Sequence, residues 1–179
     1  MKNKLFMIFL AILLMASGMM AQNRFAIGLV GTRFENIGSE QKLTEIKAPL
    51  GYGLILGYAL NKDISIAFTG EYYKDNLEKL TGEERDIRTH LSAYLTPFPS
   101  QTIRPYFSAG IVYTNRNTTY AATNLEETKG IFDGRFGVGL DYNILQNVYL
   151  NFDAGLYSDG LNIVGWSSSV GLRLSPRIF

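Results

Sequence analysis

The stretch A-P-L-G-Y-G-L-I-L-G-Y-A-L, Ala48 to Leu60, decides the fold. Every second residue from Leu50 gives Leu50, Tyr52, Leu54, Leu56, Tyr58 and Leu60, and the alternate set is Gly51, Gly53, Ile55, Gly57 and Ala59. A β-strand sends successive side chains to opposite faces. One face of this strand is therefore large and apolar with tyrosines near both ends, and the other is almost bare. A soluble sandwich would show polar residues on its second face. A glycine face predicts crowding instead. A narrow barrel in a membrane has that property, with bulky residues against lipid and small ones making room inside.

Seven further stretches alternate in the same way. They run from Arg24 to Phe34, Ile64 to Tyr73, Asp86 to Pro97, Arg104 to Tyr113, Phe132 to Tyr142, Val148 to Tyr157 and Ile163 to Leu174. The sixth in chain order is the clearest, setting Phe132, Phe136, Val138, Leu140 and Tyr142 against Asp133, Arg135, Gly137, Gly139 and Asp141. The eighth sets Val164, Trp166, Val170 and Leu172 against Gly165, Ser167, Ser169, Gly171 and Arg173. Most stretches reach the roughly 9–11 residues that a tilted membrane strand needs. The expected fold is all-β, an eight-stranded antiparallel up-and-down transmembrane barrel.

The 179 residues allow one domain, and a formal net charge of +1 gives no bias toward nucleic acid. There is no cysteine, so disulfide and thiol chemistry are excluded. The chain holds 18 Gly, 11 Tyr and 11 Phe, a mixture that suits strands with aromatic girdles. Mean hydropathy near zero is what barrel strands produce, because they dilute their apolar half with polar neighbours.

The first segment differs from the rest. Lys2 and Lys4 precede an unbroken apolar run, Leu5 to Ala16, followed by mostly small residues to Ala21. This is the pattern of a secretory signal peptide, too short to span a bilayer as a helix. Residues 1–21 are expected to be cleaved, with Gly18 as an alternative cut. Residues 22–179 then form the barrel domain. Losing Lys2 and Lys4 takes the formal charge from +1 to −1.

Connections alternate in length. Asn61 to Asp63, Pro97 to Thr102 and Asn143 to Asn147 are short, while residues 35–47, 74–85 and 114–130 read as longer polar loops. Short periplasmic turns and long outer loops are the outer-membrane arrangement. With that orientation Phe34, Tyr52, Tyr72, Tyr113, Phe132 and Trp166 fall at the outer strand ends, and Phe25, Tyr58, Phe98, Phe107 and Tyr142 at the inner ends. Two aromatic girdles follow.

The chain resembles the small eight-stranded outer-membrane barrels of the OmpA and OmpX kind. The resemblance rests on the leader, the eight alternating segments, the phrase Arg104-Pro105-Tyr106-Phe107-Ser108-Ala109-Gly110 and the terminal Phe179. It covers the whole mature chain. Two departures stand out: no peptidoglycan-binding domain follows the barrel, and Pro176 interrupts the final alternation, leaving Phe179 out of step with Val170, Leu172 and Leu174. The resemblance implies the bacterial outer membrane as location and the barrel-assembly machinery, membrane lipids and lipopolysaccharide as partners. Cations near the outer rim, among them Arg33, Lys47, Lys74, Arg85, Arg116 and Lys129, suit lipopolysaccharide phosphates. An outside ligand would be met by loops 35–47, 74–85 and 114–130.

Glu71, Arg88, Asp133, Arg135, Asp141, Asp153 and Arg173 fall on the small face, and so does Arg24. On the lipid face a mid-membrane charge would cost about 2–4 kcal/mol. The expected arrangement is a lumen plugged by ion pairs, with Glu71 opposite Arg88. The alternative is a gate in which exchanging partners opens a small channel.

His90, the only histidine, shares the inner face with Ser92. A histidine, a serine and an acid can perform acyl transfer, and some barrels of this size are lipid A deacylases with a His-x-Ser pair. Such an enzyme needs the pair on its lipid face, and the alternation turns it inward. No catalytic residue, metal site or cofactor is expected. The role expected is membrane integrity or surface contact, with a small gated channel and a lipid A-modifying enzyme as alternatives.

Overall fold

A computed structural model describes residues 24–37, 50–77, 82–99, 101–120 and 125–175. The leader, Lys47, most of loop 35–47 and Phe179 lie outside these residues. Eight strands run in chain order: β1 (Phe25–Asn36), β2 (Leu50–Ala59), β3 (Ile64–Leu77), β4 (Gly82–Leu95), β5 (Ile103–Tyr120), β6 (Leu125–Leu145), β7 (Val148–Asp159) and β8 (Asn162–Leu174). Each pairs antiparallel with its sequence neighbour, and β1 pairs with β8, so the sheet closes into a barrel.

The barrel is inside out relative to a water-soluble protein. Leu54 is 50% exposed and Phe136 63%, whereas Arg88 is 3% and Arg135 6% exposed. In the deciding strand the glycines have a steric duty. A Cβ on Gly51 would lie 2.5 Å from the Tyr73 ring. The bare face is bare because the neighbouring strand fills it.

The short turns have local causes. In the β2–β3 turn the Asn61 Oδ1 accepts the Asp63 and Ile64 amides, each at 2.8 Å. This is an Asx turn, in which the side chain takes the place of a backbone acceptor. The β6–β7 turn places Asn147 at φ 67°, a left-handed backbone that asparagine tolerates better than most residues.

Two of the expected long loops are mostly strand. Residues 74–77 and 82–85 continue β3 and β4, and 114–120 and 125–130 continue β5 and β6. Antiparallel pairing runs on to Leu77↔Gly82 and Tyr120↔Leu125. Loops 74–85 and 114–130 are thus corrected to hairpins of one projecting four-stranded sheet. β7 stops earlier: its pairing with β6 ends at Gly134↔Ser158, so the β6 backbone from Leu125 to Asp133 pairs only with β5.

Candidate functional site

The charged residues of the small face meet in the lumen as three connected groups. In the group toward the long hairpins, the Asp86 carboxylate takes Arg88 at 3.1 Å and a two-bonded contact from Arg116, Nε to Oδ1 at 3.0 Å and Nη2 to Oδ2 at 2.9 Å. Arg116 also reaches Glu84 at 3.2 Å. The Arg88 guanidinium lies over the Phe34 ring, 3.5 Å from its centroid, and 4.7 Å from that of Tyr73. Asp133 is half-buried beside this group and interacts electrostatically with Arg88 and Arg116.

The second group is centred on Glu71. Thr32 Oγ1 donates to its Oε1 at 2.8 Å and the Tyr73 hydroxyl to its Oε2 at 2.7 Å. His90 Nε2 lies 3.1 Å from Oε2. Glu71 and Arg88 are register partners, as the alternation implies, yet their side chains part company. The expected Glu71–Arg88 ion pair is replaced by Glu71–His90 and Arg88–Asp86. A glutamate reaches along its own face to the histidine one pleat away, while the longer arginine bends to the aspartate two residues before it.

The third group is a chain of contacts. Arg135 pairs with Asp153 and donates to Ser108 Oγ at 3.1 Å. The Tyr106 hydroxyl donates to Asp153 at 3.1 Å, and Asn151 Nδ2 donates to Tyr106 at 2.9 Å and to Asp141 at 2.8 Å. Asp141 pairs with Arg173 and, at 3.4 Å, with Arg104. Gly155 makes the chain sterically feasible, since a Cβ there would sit 2.6 Å from Arg135 Nη2.

Several expectations need correction. Phe34 belongs to the lumen, not the outer girdle, because it shares parity with Val30 and Thr32. Val164 also packs inward, against Phe34, Tyr73, Val112 and Tyr157. A bulge causes this: Tyr157 pairs with Gly165 but Ser158 with Ile163, so Val164 is an extra residue that reverses the facing. Arg24 is exposed, 3.5 Å from the Tyr58 hydroxyl. Arg116 serves Asp86 from inside rather than reaching outward.

Arg104, Asp86, Tyr106 and Asn151 are lumen partners that the charge pattern alone left out. Arg104 could have been found, because it shares parity with Tyr106 and Ser108.

The outward side carries the aromatic residues. Tyr52 and Tyr72 lie 5.6 Å apart between ring centroids, Tyr113 and Phe132 4.7 Å, and Phe25 and Tyr58 4.9 Å. Phe107 and Tyr142 are exposed, and Trp166 is half-buried. Beyond the Tyr52–Tyr72 pair, Lys74 and Arg85 both contact Glu83. These two cations hold the Glu83 carboxyl below the ordinary carboxylate range, Lys74 having the larger effect.

A signature of the outer membrane protein beta-barrel domain matches residues 7–174. The chain belongs to this outer-membrane β-barrel family. Its place is accordingly the bacterial outer membrane. The N-terminal barrel of Pseudomonas aeruginosa OprF is 18% identical over 83% of this chain and 95% of its own, with a TM-score of 0.60. OprG of the same organism is 14% identical over 84% and 94%, with a TM-score of 0.65. The outer membrane enzyme PagL is 15% identical over 84% and 99%, with a TM-score of 0.52. At these identities the likeness is one of fold. No curated protein matches this family member in sequence.

Two small voids lie in the lumen of this family member among the described residues. One void of about 30 Å³ touches Glu71, His90, Arg135 and Asp153, and another of about 60 Å³ lies at the short-turn mouth. Ile55, Tyr94 and Arg173 line both and stand between them. His90 and Ser92 are 5% and 4% exposed, inside the barrel.

Proposed function

We propose that this barrel is closed and non-enzymatic, contributing to outer-membrane integrity and meeting outside partners through the sheet built by β3 to β6. One observation carries the reading: among the described residues, Ile55, Tyr94 and Arg173 reach into the interior where two small voids adjoin. A void of about 30 Å³ holds about one water molecule. Side chains from β2, β4 and β8 separate it from the other void. Eight strands enclose just enough room for side chains to fill, and here tyrosines and arginines fill it.

The surface half of the proposal draws on the projecting hairpins. In barrels of this class the longer connections face outside the cell. The β6 edge from Leu125 to Asp133 carries Glu126, Glu127 and Lys129, charges that discourage indiscriminate strand pairing. An edge protected in this way remains available to a partner of matching charge.

Planar-bilayer recording on the refolded barrel tests the closed state. The expected record is flat. Reproducible conductance steps would favour a gated channel and overturn the proposal.

A further inference from the structure

At the short-turn mouth the charges do not balance. Arg104 and Arg173 share one carboxylate, Asp141, which is 1% exposed. That carboxylate also accepts a bond from Asn151, so three donors converge on its two oxygens. The Nε atoms of Arg104 and Arg173 are buried with no hydrogen-bond partner among the described residues. Arg104 is 9% exposed and its guanidinium lies 3.8 Å from the Tyr149 ring centroid, which fixes its plane.

Both arginines line the void of about 60 Å³. The same void is lined by Asp63 and by the exposed Arg24 and Lys62, so among the described residues the two cations withdrawn from water, Arg104 and Arg173, share one buried carboxylate. Desolvated cations in excess are costly unless an anion joins them. A planar guanidinium with a spare N–H is well suited to an oxyanion, because its donors fork toward two oxygens.

We propose that this mouth binds a small oxyanion, a phosphate or carboxylate, between Arg104 and Arg173 with Lys62 at its rim. The anion supplies acceptors for the unpartnered Nε groups of Arg104 and Arg173. With the long hairpins outward, this mouth opens to the periplasm, so the ligand is a periplasmic metabolite or a group on a periplasmic polymer. The site is independent of whether the upper lumen conducts.

The test uses the mature barrel refolded in a neutral maltoside detergent, with inorganic phosphate titrated by calorimetry and by ³¹P NMR. Saturable one-site binding at millimolar phosphate or below is expected. Arg104→Gln should weaken it roughly tenfold, as loss of a charge-assisted donor pair does. Lys62→Gln, at an exposed turn, should weaken it about two- to threefold, a rim contribution. Arg33→Gln, at the far end, should leave it unchanged. Displacement by acetate supports the site with carboxylates in its class, and no displacement supports it as a phosphate site. Phosphate uptake that does not saturate overturns the proposal. So does equal affinity in wild type and Arg104→Gln. Should Arg104→Gln fail to refold, unchanged affinity in the Arg24→Gln, Lys62→Gln double variant overturns it equally.

Discussion

The guanidinium of Arg88 lies over the ring of Phe34, 3.5 Å from its centroid, inside the barrel. The two residues come from β4 and β1, and the Tyr157 ring meets that of Phe34 edge-on, with centroids 5.0 Å apart. A phenylalanine placed where the lipid belt was expected is instead a cation platform. Phe34→Ala should destabilise the folded barrel by about 3 kcal/mol, from lost packing plus the loss of a desolvated cation–π contact. Denaturant unfolding from lipid vesicles reads this directly. A loss under about 1 kcal/mol would place Phe34 outside the load that Arg88 needs carried.

Glycines of the two faces should answer alanine differently. At Gly155 the new methyl would meet the Arg135 guanidinium at 2.6–2.8 Å. Gly155→Ala should cost about 1–3 kcal/mol, the usual penalty of overpacking. At Gly70 nothing lies within 4 Å of an added Cβ. Gly70→Ala should be neutral or stabilise by up to about 1 kcal/mol, since alanine loses less chain freedom on folding. Equal effects at the two positions would contradict the assignment of faces.

Asp153 is the carboxylate that pairs with Arg135. Asp153→Asn leaves Arg135 buried without its counter-charge and should cost about 3–5 kcal/mol. Replacing both members, with Arg135→Met and Asp153→Leu, should recover most of that loss. A double-mutant cycle in vesicles measures the coupling, and an additive result would count against a buried pair.

Glu83 stands above the aromatic belt on β4, between Lys74 and Arg85. Its carboxyl titrates below the ordinary range because the folded hairpin supplies those cations. A depressed folded pKa means the contribution is present above the unfolded value, about 4.3, and is lost as pH falls through the folded one. Hydrogen-exchange protection at the β3–β4 hairpin, taken relative to the intrinsic rate at each pH, should therefore fall on acidification below that value. Glu83→Gln should remove the pH step without touching exchange near Glu71.

His90 and Ser92 face the lumen, against Glu71 and Tyr157. Expression of the wild-type barrel, His90→Gln and Ser92→Ala should give identical lipid A profiles by mass spectrometry. A wild-type-only change in acyl content would establish an enzyme and refute the non-enzymatic role.

The strands were legible because within the membrane each face keeps one solvent, so the period of two is clean. Leu54, Phe68 and Phe136 face outward with it. Past the aromatic belt both faces of a strand meet water, and the alternation fades. Residues 114–120 and 125–130 therefore read as loops although they pair in register. Val164 was misplaced because a bulge adds one residue without leaving a mark in the residue types. The charged positions could be assigned to the lumen from parity. Their partners could not, because a long arginine chooses among several carboxylates by reach, as Arg116 does in taking Asp86 over the outside.

Two lumen contacts join strands that are not neighbours in the sheet: Thr32 on β1 with Glu71 on β3, and Asp141 on β6 with Arg173 on β8. A sheet lacking β1 or β8 would leave Glu71 without its Thr32 donor or Asp141 without Arg173, while pairs between adjacent strands, such as Arg135 with Asp153, would already be made. Joining β1 to β8 is therefore the step that finishes the interior network, whose nearer pairs each hairpin brings with it.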